Sequence, residues 1–571
     1  MHSFVRKLLV AGNPPQGSSK CRCIPGDSCW PNQQQWSRLN STVNGRLIAA
    51  APLALVCHAP NYDEAACAAL RQDWTLPQTH YPNPVEIMDP NQQNRSCDPF
   101  TPSSTACSLG NYVQYTINAS SPADIAAGLQ FAQKNNIRIV IKNTGHDYLG
   151  KSTGKGALGI WTHNLKSFDV LDYKSSGYTG KAVKYGAGSQ AFEVYAAAEQ
   201  NGLRVVGGEC STVGLAGGFL QGGGHSALSS KHGMGADQIL EWEVVTAEGK
   251  HLVASPTKNQ DLYWALSGGG GGTYAVVVSV TTKAFKEGVV GGAFLQFNKT
   301  GASDEAFWQA VEEFHAALPA IVDSGATALY SLTNDSFTVV PVTSPGSTIE
   351  QMNKLLQPFK SKMDKIKVPL TLTVTSFPTY YQHFDHYLGP LPYGLPLVNI
   401  IDISIAGRII PRKVVENPDS NAALIGALKK SVYPGGGFMT GGVALKASHS
   451  VANNTPSSNA VLPAWRDAIV TILAFAPWDF EKTVDQNTNS EDYLLDVTIP
   501  ALDAVTPGGY AYLNEANPRQ ANWKQTFYGA NYDKLRSIKK IYDPNDLFFA
   551  PTAVGSDAWT IGSRGQLCRA P

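Results

Sequence analysis

Gly207-Gly-Glu-Cys210-Ser-Thr-Val-Gly214-Leu-Ala-Gly217-Gly218 follows an apolar run at 203–206 and precedes Gly222-Gly-Gly-His225. Upstream, Ile141-Lys-Asn143-Thr144-Gly145-His146-Asp147 closes a second apolar run. Each stretch sets one nucleophilic side chain, Cys210 or His146, inside a glycine-lined turn. Glycines let backbone approach a flat or anionic ligand, and successive N–H groups can cradle a pyrophosphate. Alone, His146 reads as a hydrogen-bonded turn histidine and Cys210 as a buried inert thiol. Together they mark a ligand site.

Working outward, the pattern predicts strands at 112–117, 137–141, 182–185 and 203–206. Helices are expected at 121–135, opened by Ser121-Pro122, and at 189–200, closed by Asn201-Gly202. Further strands are expected at 238–246 and 275–282. From 288 to 506, short strands alternate with amphipathic helices, expected at 303–318, 348–362 and 462–473. A last helix falls within 528–549. The leader shows one short helix near 63–73. The expectation is an α+β fold.

The chain has 571 residues, so ~150 residues per domain gives two to four domains. Its 45 basic side chains equal its 45 acidic ones, which leaves no surplus to neutralise phosphates and argues against nucleic acid. The longest apolar run, 47–56, contains Pro52 and falls well short of the ~20 residues of a membrane span. Of nine cysteines, Cys21, Cys23, Cys29, Cys57, Cys67, Cys97, Cys107 and Cys568 form an even set, leaving Cys210 odd. Local pairing suggests Cys57–Cys67 and Cys97–Cys107. No CxxC pair or HExxH supports a metal site. Sequons begin at Asn40, Asn94, Asn118, Asn298, Asn334 and Asn453 and, with the cysteines, favour a secreted glycoprotein. The apolar run at 8–11 is too short for a signal-peptide core of ~7–15 residues.

Three motifs compete. Residues 145–152 satisfy the phosphate-loop pattern, but the glycines at 154, 156 and 159 cannot sustain the helix that must follow. Gly150-Lys-Ser152-Thr-Gly154 fits a nucleophile elbow without a strand leading into Ser152. Gly186-Ala-Gly188-Ser-Gln-Ala191 follows a strand and opens a helix, with Glu209 about twenty residues on, so a nicotinamide dehydrogenase remains the alternative.

The two opening stretches, with Asp261-Leu-Tyr-Trp-Ala-Leu-Ser-Gly268, Phe527-Tyr-Gly-Ala-Asn531-Tyr-Asp and Tyr542-Asp-Pro-Asn545, resemble the vanillyl-alcohol oxidase superfamily of flavoproteins. Within it they resemble the berberine-bridge-enzyme-like oxidases. The Cys-rich leader is similar to fungal members termed isoamyl alcohol oxidases. The resemblance implies a PCMH-type FAD-binding domain of two α+β subdomains at 109–287, after an extension at 1–108. A substrate domain at 288–506 would roof the flavin with an antiparallel sheet, and 507–571 would return to the FAD domain. It implies FAD held covalently by His146 and Cys210, with Asn143, Thr144, Gly145, Asp147, Thr212, Gly214, Gly217 and Gly218 lining it. Val213 matches the small residue of members that react with oxygen. An alcohol-type substrate (small alcohol, carbohydrate or phenolic) would pass hydride to flavin, and oxygen would leave as peroxide. The family's catalytic glutamate has no counterpart in Gly441-Gly-Val-Ala-Leu-Lys446-Ala, so Glu515, Tyr512 and Asn531 are the expected catalytic residues. A flavin-fold binder without catalysis is the remaining alternative.

Overall fold

A computed structural model describes residues 21–93, 95–394, 400–432 and 438–571. The reading of residues 8–11 and the sequon at Asn94 lie outside that range. Ser121 caps the helix Pro122–Lys134, its hydroxyl accepting from Asp124 N at 3.3 Å with Pro122 in the first turn. The apolar side of this helix, Ile125, Leu129 and Ala132, is fully buried. Beside it lies a four-stranded sheet in the order Leu47–Ala49, Tyr115–Asn118, Leu158–Trp161, Ile139–Lys142. Its last three strands are parallel and Leu47–Ala49 joins antiparallel. A five-stranded antiparallel sheet follows, ordered Phe168–Lys174, Thr179–Gly186, Ala275–Lys283, Ile239–Thr246, His251–Ala254. Both sheets share one core with the helix Ala191–Gln200.

The third sheet has seven strands: Thr371–Phe377, Val290–Asn298, Ser336–Pro345, Thr327–Leu332, Met439–Ala444, Ala468–Pro477, Ile403–Pro411. All its pairings are antiparallel. Strand alternation gives it two faces. Ala328, Tyr330, Val470 and Ile472 pack into a core with the helices Asp304–Asp323, Ile349–Ile366 and Pro418–Ser431. Leu329, Val443, Leu473, Phe475 and Ile405 face the core of the first two sheets. The fold is therefore α+β. The C-terminal helix Tyr532–Tyr542 returns to the first unit, where Tyr542 Oη donates to Asp261 at 2.8 Å and Lys534 covers the Trp264 ring.

Two expectations fail here. Residues 462–473 are not a helix: a short turn, Pro463–Arg466, leads into the strand Ala468–Pro477. Every residue of that strand up to Ala476 is buried. A strand buried on both faces presents a continuous apolar run, which periodicity cannot separate from a buried helix. The strand expected at 203–206 shortens to Leu203–Arg204, paired with Phe285–Lys286. Among its described residues the leader holds a helix beyond the one expected, Gln33–Thr42, capped by Asn32 and Gln35.

The eight cysteines form Cys21–Cys568, Cys23–Cys29, Cys57–Cys67 and Cys97–Cys107, and Cys210 is free. No described helix is long and apolar enough to cross a membrane.

Candidate active site

The Cys210 loop is set by the helix beside it. The first N–H groups of a helix have no partner within it. In Ala191–Gln200, Ala191 N donates to Val213 O and Phe192 N to Ser211 O, both at 2.9 Å, while Gln190 Nε2 donates to Thr212 O at 2.6 Å. Gln190 N goes to the Glu193 carboxylate. Three successive loop carbonyls are thus clamped. The same bonds dispose of the dinucleotide motif at 186–191: the N–H groups a pyrophosphate would need are spent on the loop. Its strand, Thr179–Gly186, also lies in an antiparallel sheet without a βαβ crossover. The nicotinamide alternative is withdrawn.

His146 sits in the loop after Ile139–Lys142. Asn143 anchors this loop, its amide donating to Ala187 O and its carbonyl accepting from Trp161 Nε1. The Asp147 carboxylate accepts from Leu149 N at 3.0 Å and Ser152 N at 2.6 Å. Gly214 presses on the first loop, where a Cβ would lie 2.5 Å from Asn143 Oδ1. Both loops meet at Thr212, whose hydroxyl is 2.8 Å from His146 Nε2 and 3.7 Å from Cys210 Sγ. Burial, aided by His80 and Lys142, pulls the His146 imidazole down to about 3, so the ring stays neutral. Burial pushes the Cys210 thiol up, while hydrogen bonds with Thr212 pull it part of the way back. The thiol is walled by protein but opens onto a cleft, where it is accessible.

That cleft, of ≈ 340 Å³, runs between the three sheets. His146, Cys210, Val213, Tyr512 and Glu515 all border it, as do Thr144, Gly145, Asp147, Gly217 and Gly218. Sequence reasoning missed a cluster at one end. His225 Nε2 lies 2.8 and 3.0 Å from the Glu515 oxygens, and His225 Nδ1 lies 3.2 Å from Glu209 Oε2. Burial alone would lower the His225 imidazole, but the two carboxylates overcome it and hold it well above its ordinary value. Gly222-Gly-Gly-His225 was visible as a motif, yet its partner Glu515 is 290 residues away in sequence. Tyr512 Oη accepts from Gly224 N at 3.1 Å and Asn514 Nδ2 at 2.8 Å. Burial, then the Glu515 charge, raises its phenol far above the ordinary range, so Tyr512 keeps its proton. Asn531 stands apart: its amide donates to Ala460 O and Val461 O, outside the cleft lining. The catalytic part expected of Asn531 becomes a bracing one.

The FAD binding domain family matches residues 113–255, and the berberine and berberine-like family matches residues 511–555. VAO-type flavoprotein oxidase VAO615 from Thermothelomyces thermophilus is 46% identical over 100% of both chains. The chain belongs to the VAO-type, berberine-bridge-like FAD-linked oxidoreductases. The crystal structure of VAO-type flavoprotein MtVAO615 from Myceliophthora thermophila superposes with a TM-score of 0.91 at 45% identity, covering 96% of this chain and 100% of that one. Glucooligosaccharide oxidase from Acremonium strictum shares the fold, with a TM-score of 0.65 at 19% identity over 78% of this chain and 92% of that one.

FAD fits the cleft of this VAO-type oxidoreductase. Lys151 Nζ, Asn143 Oδ1, Ser211 Oγ and Gln221 Oε1 are buried without a hydrogen-bond partner in the protein, and all four residues border the cleft. Buried polar groups are nearly always satisfied, so four orphans around one cleft are a ligand's complement. Burial brings the Lys151 ammonium down to about 8 against the pull of Asp147.

Proposed function

We propose that this protein is a secreted oxidase of alcohol groups, with FAD attached at both His146 and Cys210. The observation that carries the reading is the Glu209–His225–Glu515 cluster in the cleft that also holds His146 and Cys210. With His225 protonated, two carboxylates and one imidazolium leave one negative charge, and one added proton neutralises the cluster. It is a proton acceptor as a unit, because one imidazole joins its two carboxylates. Glu515 is the member that meets the substrate hydroxyl. Tyr512 accepts two hydrogen bonds and so has its own proton to donate to the same oxygen, which orients it. When bound, FAD supplies the hydride acceptor for the carbinol C–H and hands the two electrons to oxygen, which leaves as hydrogen peroxide.

The double attachment is supported by the shared Thr212 hydroxyl. That contact engages His146 Nε2 and leaves Nδ1 for the bond. The Acremonium enzyme carries a 6-S-cysteinyl, 8α-N1-histidyl FAD. Secretion is supported by the four disulfides and by the exposed sequons at Asn298, Asn334 and Asn453.

Rapid-mixing absorbance at the flavin band tests the proton step. Glu515→Gln keeps shape and removes basicity, so flavin reduction should slow by about 10²–10⁴ while reoxidation by oxygen changes little. An unchanged reduction rate would clear Glu515.

A further inference from the structure

The seven-stranded sheet contributes five side chains to the cleft: Leu329, Val443, Leu473, Phe475 and Ile405. All are apolar and all are buried. They form one continuous patch, because Leu329 pairs across from Val443 and Phe475 from Ile405. The backbones of Thr327–Leu332, Met439–Ala444 and Ala468–Pro477 are laddered on both sides. The free edge of Ile403–Pro411 is covered by the 510–517 segment, through Tyr510 O accepting from Ile409 N at 2.8 Å and Asn517 Nδ2 donating to Ile405 O at 3.1 Å. Glu515, Tyr512 and His225 offer polar groups to the cleft, whereas none of the five roof side chains carries a donor or an acceptor.

We propose that the substrate is an uncharged alcohol with an apolar body, which lies under this roof and offers a single hydroxyl to Glu515 and Tyr512. This rests on the oxidase reading above and narrows it against sugars and carboxylated alcohols. A hydroxyl turned toward the roof gives up water and finds neither donor nor acceptor. One such mismatch in an apolar pocket costs about 10²-fold, and a sugar brings several. A carboxylate would enter beside Glu515 and Glu209 and meet like charge.

The test uses redox-inert ligands on the flavin-loaded protein, followed by perturbation of the flavin absorbance band. Benzyl methyl ether should bind at least about 10²-fold more tightly than methyl β-glucoside, with no response to benzoate. A glucoside or benzoate response at equal or lower concentration, or no response to the ether, overturns the proposal. Val443→Thr, nearly isosteric, should weaken ether binding by about tenfold; Leu329→Gln repeats the test from the neighbouring strand should the first variant misfold. Unchanged ether affinity in the folded variants counts against the roof. The two readings fail separately. Glu515-dependent reduction of the flavin by a sugar would overturn the roof proposal and leave the oxidase standing. Ether binding with no alcohol able to reduce the flavin would support the roof and overturn the oxidase.

Discussion

At the scale of the residue, a neutral imidazole and an accessible thiol share one hydroxyl. His146, held near 3 by burial, presents a free ring-nitrogen lone pair across the whole neutral range. Cys210 opens onto the cleft with no disulfide partner. Replacing either with alanine should therefore leave flavin bound through the other, and only the double variant should release all of it to trichloroacetic acid. Peptide mass spectrometry reads this directly: the parent protein should give one flavin linking two tryptic peptides, and each single variant a flavin on one. A parent whose flavin washes out in acid defeats the double attachment. Both residues were legible in sequence because glycine-lined turns hold little else that is reactive. His225 was not, because its importance comes from two carboxylates that only the fold brings to it. The same folding turns the Asn531 amide to two carbonyls rather than to the cleft.

At the scale of the element, Glu515 depends on a strand that carries no chemistry of its own. Gly407 lies mid-strand in Ile403–Pro411, opposite Leu473. A Cβ there would lie 2.2 Å from the backbone O of Glu515, which no side-chain rotation can move aside. Gly407→Ala must push the 510–517 segment off the strand edge, and overpacking of this kind costs about 1–3 kcal/mol. Flavin reduction should fall by tenfold or more through displacement of Glu515, while flavin attachment at His146 and Cys210 persists. A variant that reduces its flavin at the parent rate would show that the segment is positioned by other contacts. Element by element, capped helices were the most legible: Pro122–Lys134 and Asp304–Asp323 start where Ser121 and Ser303 place them. The strand Ala468–Pro477 was misread because its polar alternation is erased by a core on each side. The helix Gln33–Thr42 escaped notice because only Trp36 and Leu39 along it are buried.

At the scale of the whole molecule, the chain is closed on itself. Cys21 and Cys568 are joined across a sequence separation of 547, and the flanking residues knit the two ends together. Arg22 donates to Asn136 Oδ1 at 3.0 Å and to Asp546 O at 3.2 Å, and Arg22 and Arg569 both lie over the Trp559 ring. A disulfide stabilises mainly by restricting the unfolded chain, and is typically worth about 2–4 kcal/mol. The segment bearing Tyr512 and Glu515 is fastened separately, at Ile409 and Ile405. Stability and chemistry should therefore part company. Replacing Cys21 and Cys568 together with serine should lower the thermal midpoint by about 2–3 °C, given unfolding entropies of roughly 2.1 cal/mol/K per residue over 571 residues. Flavin reduction in the folded variant should match the parent. If the rate falls along with the midpoint, the terminal closure reaches the active site, and the two hydrogen bonds at the strand edge are too weak to hold Glu515 without it.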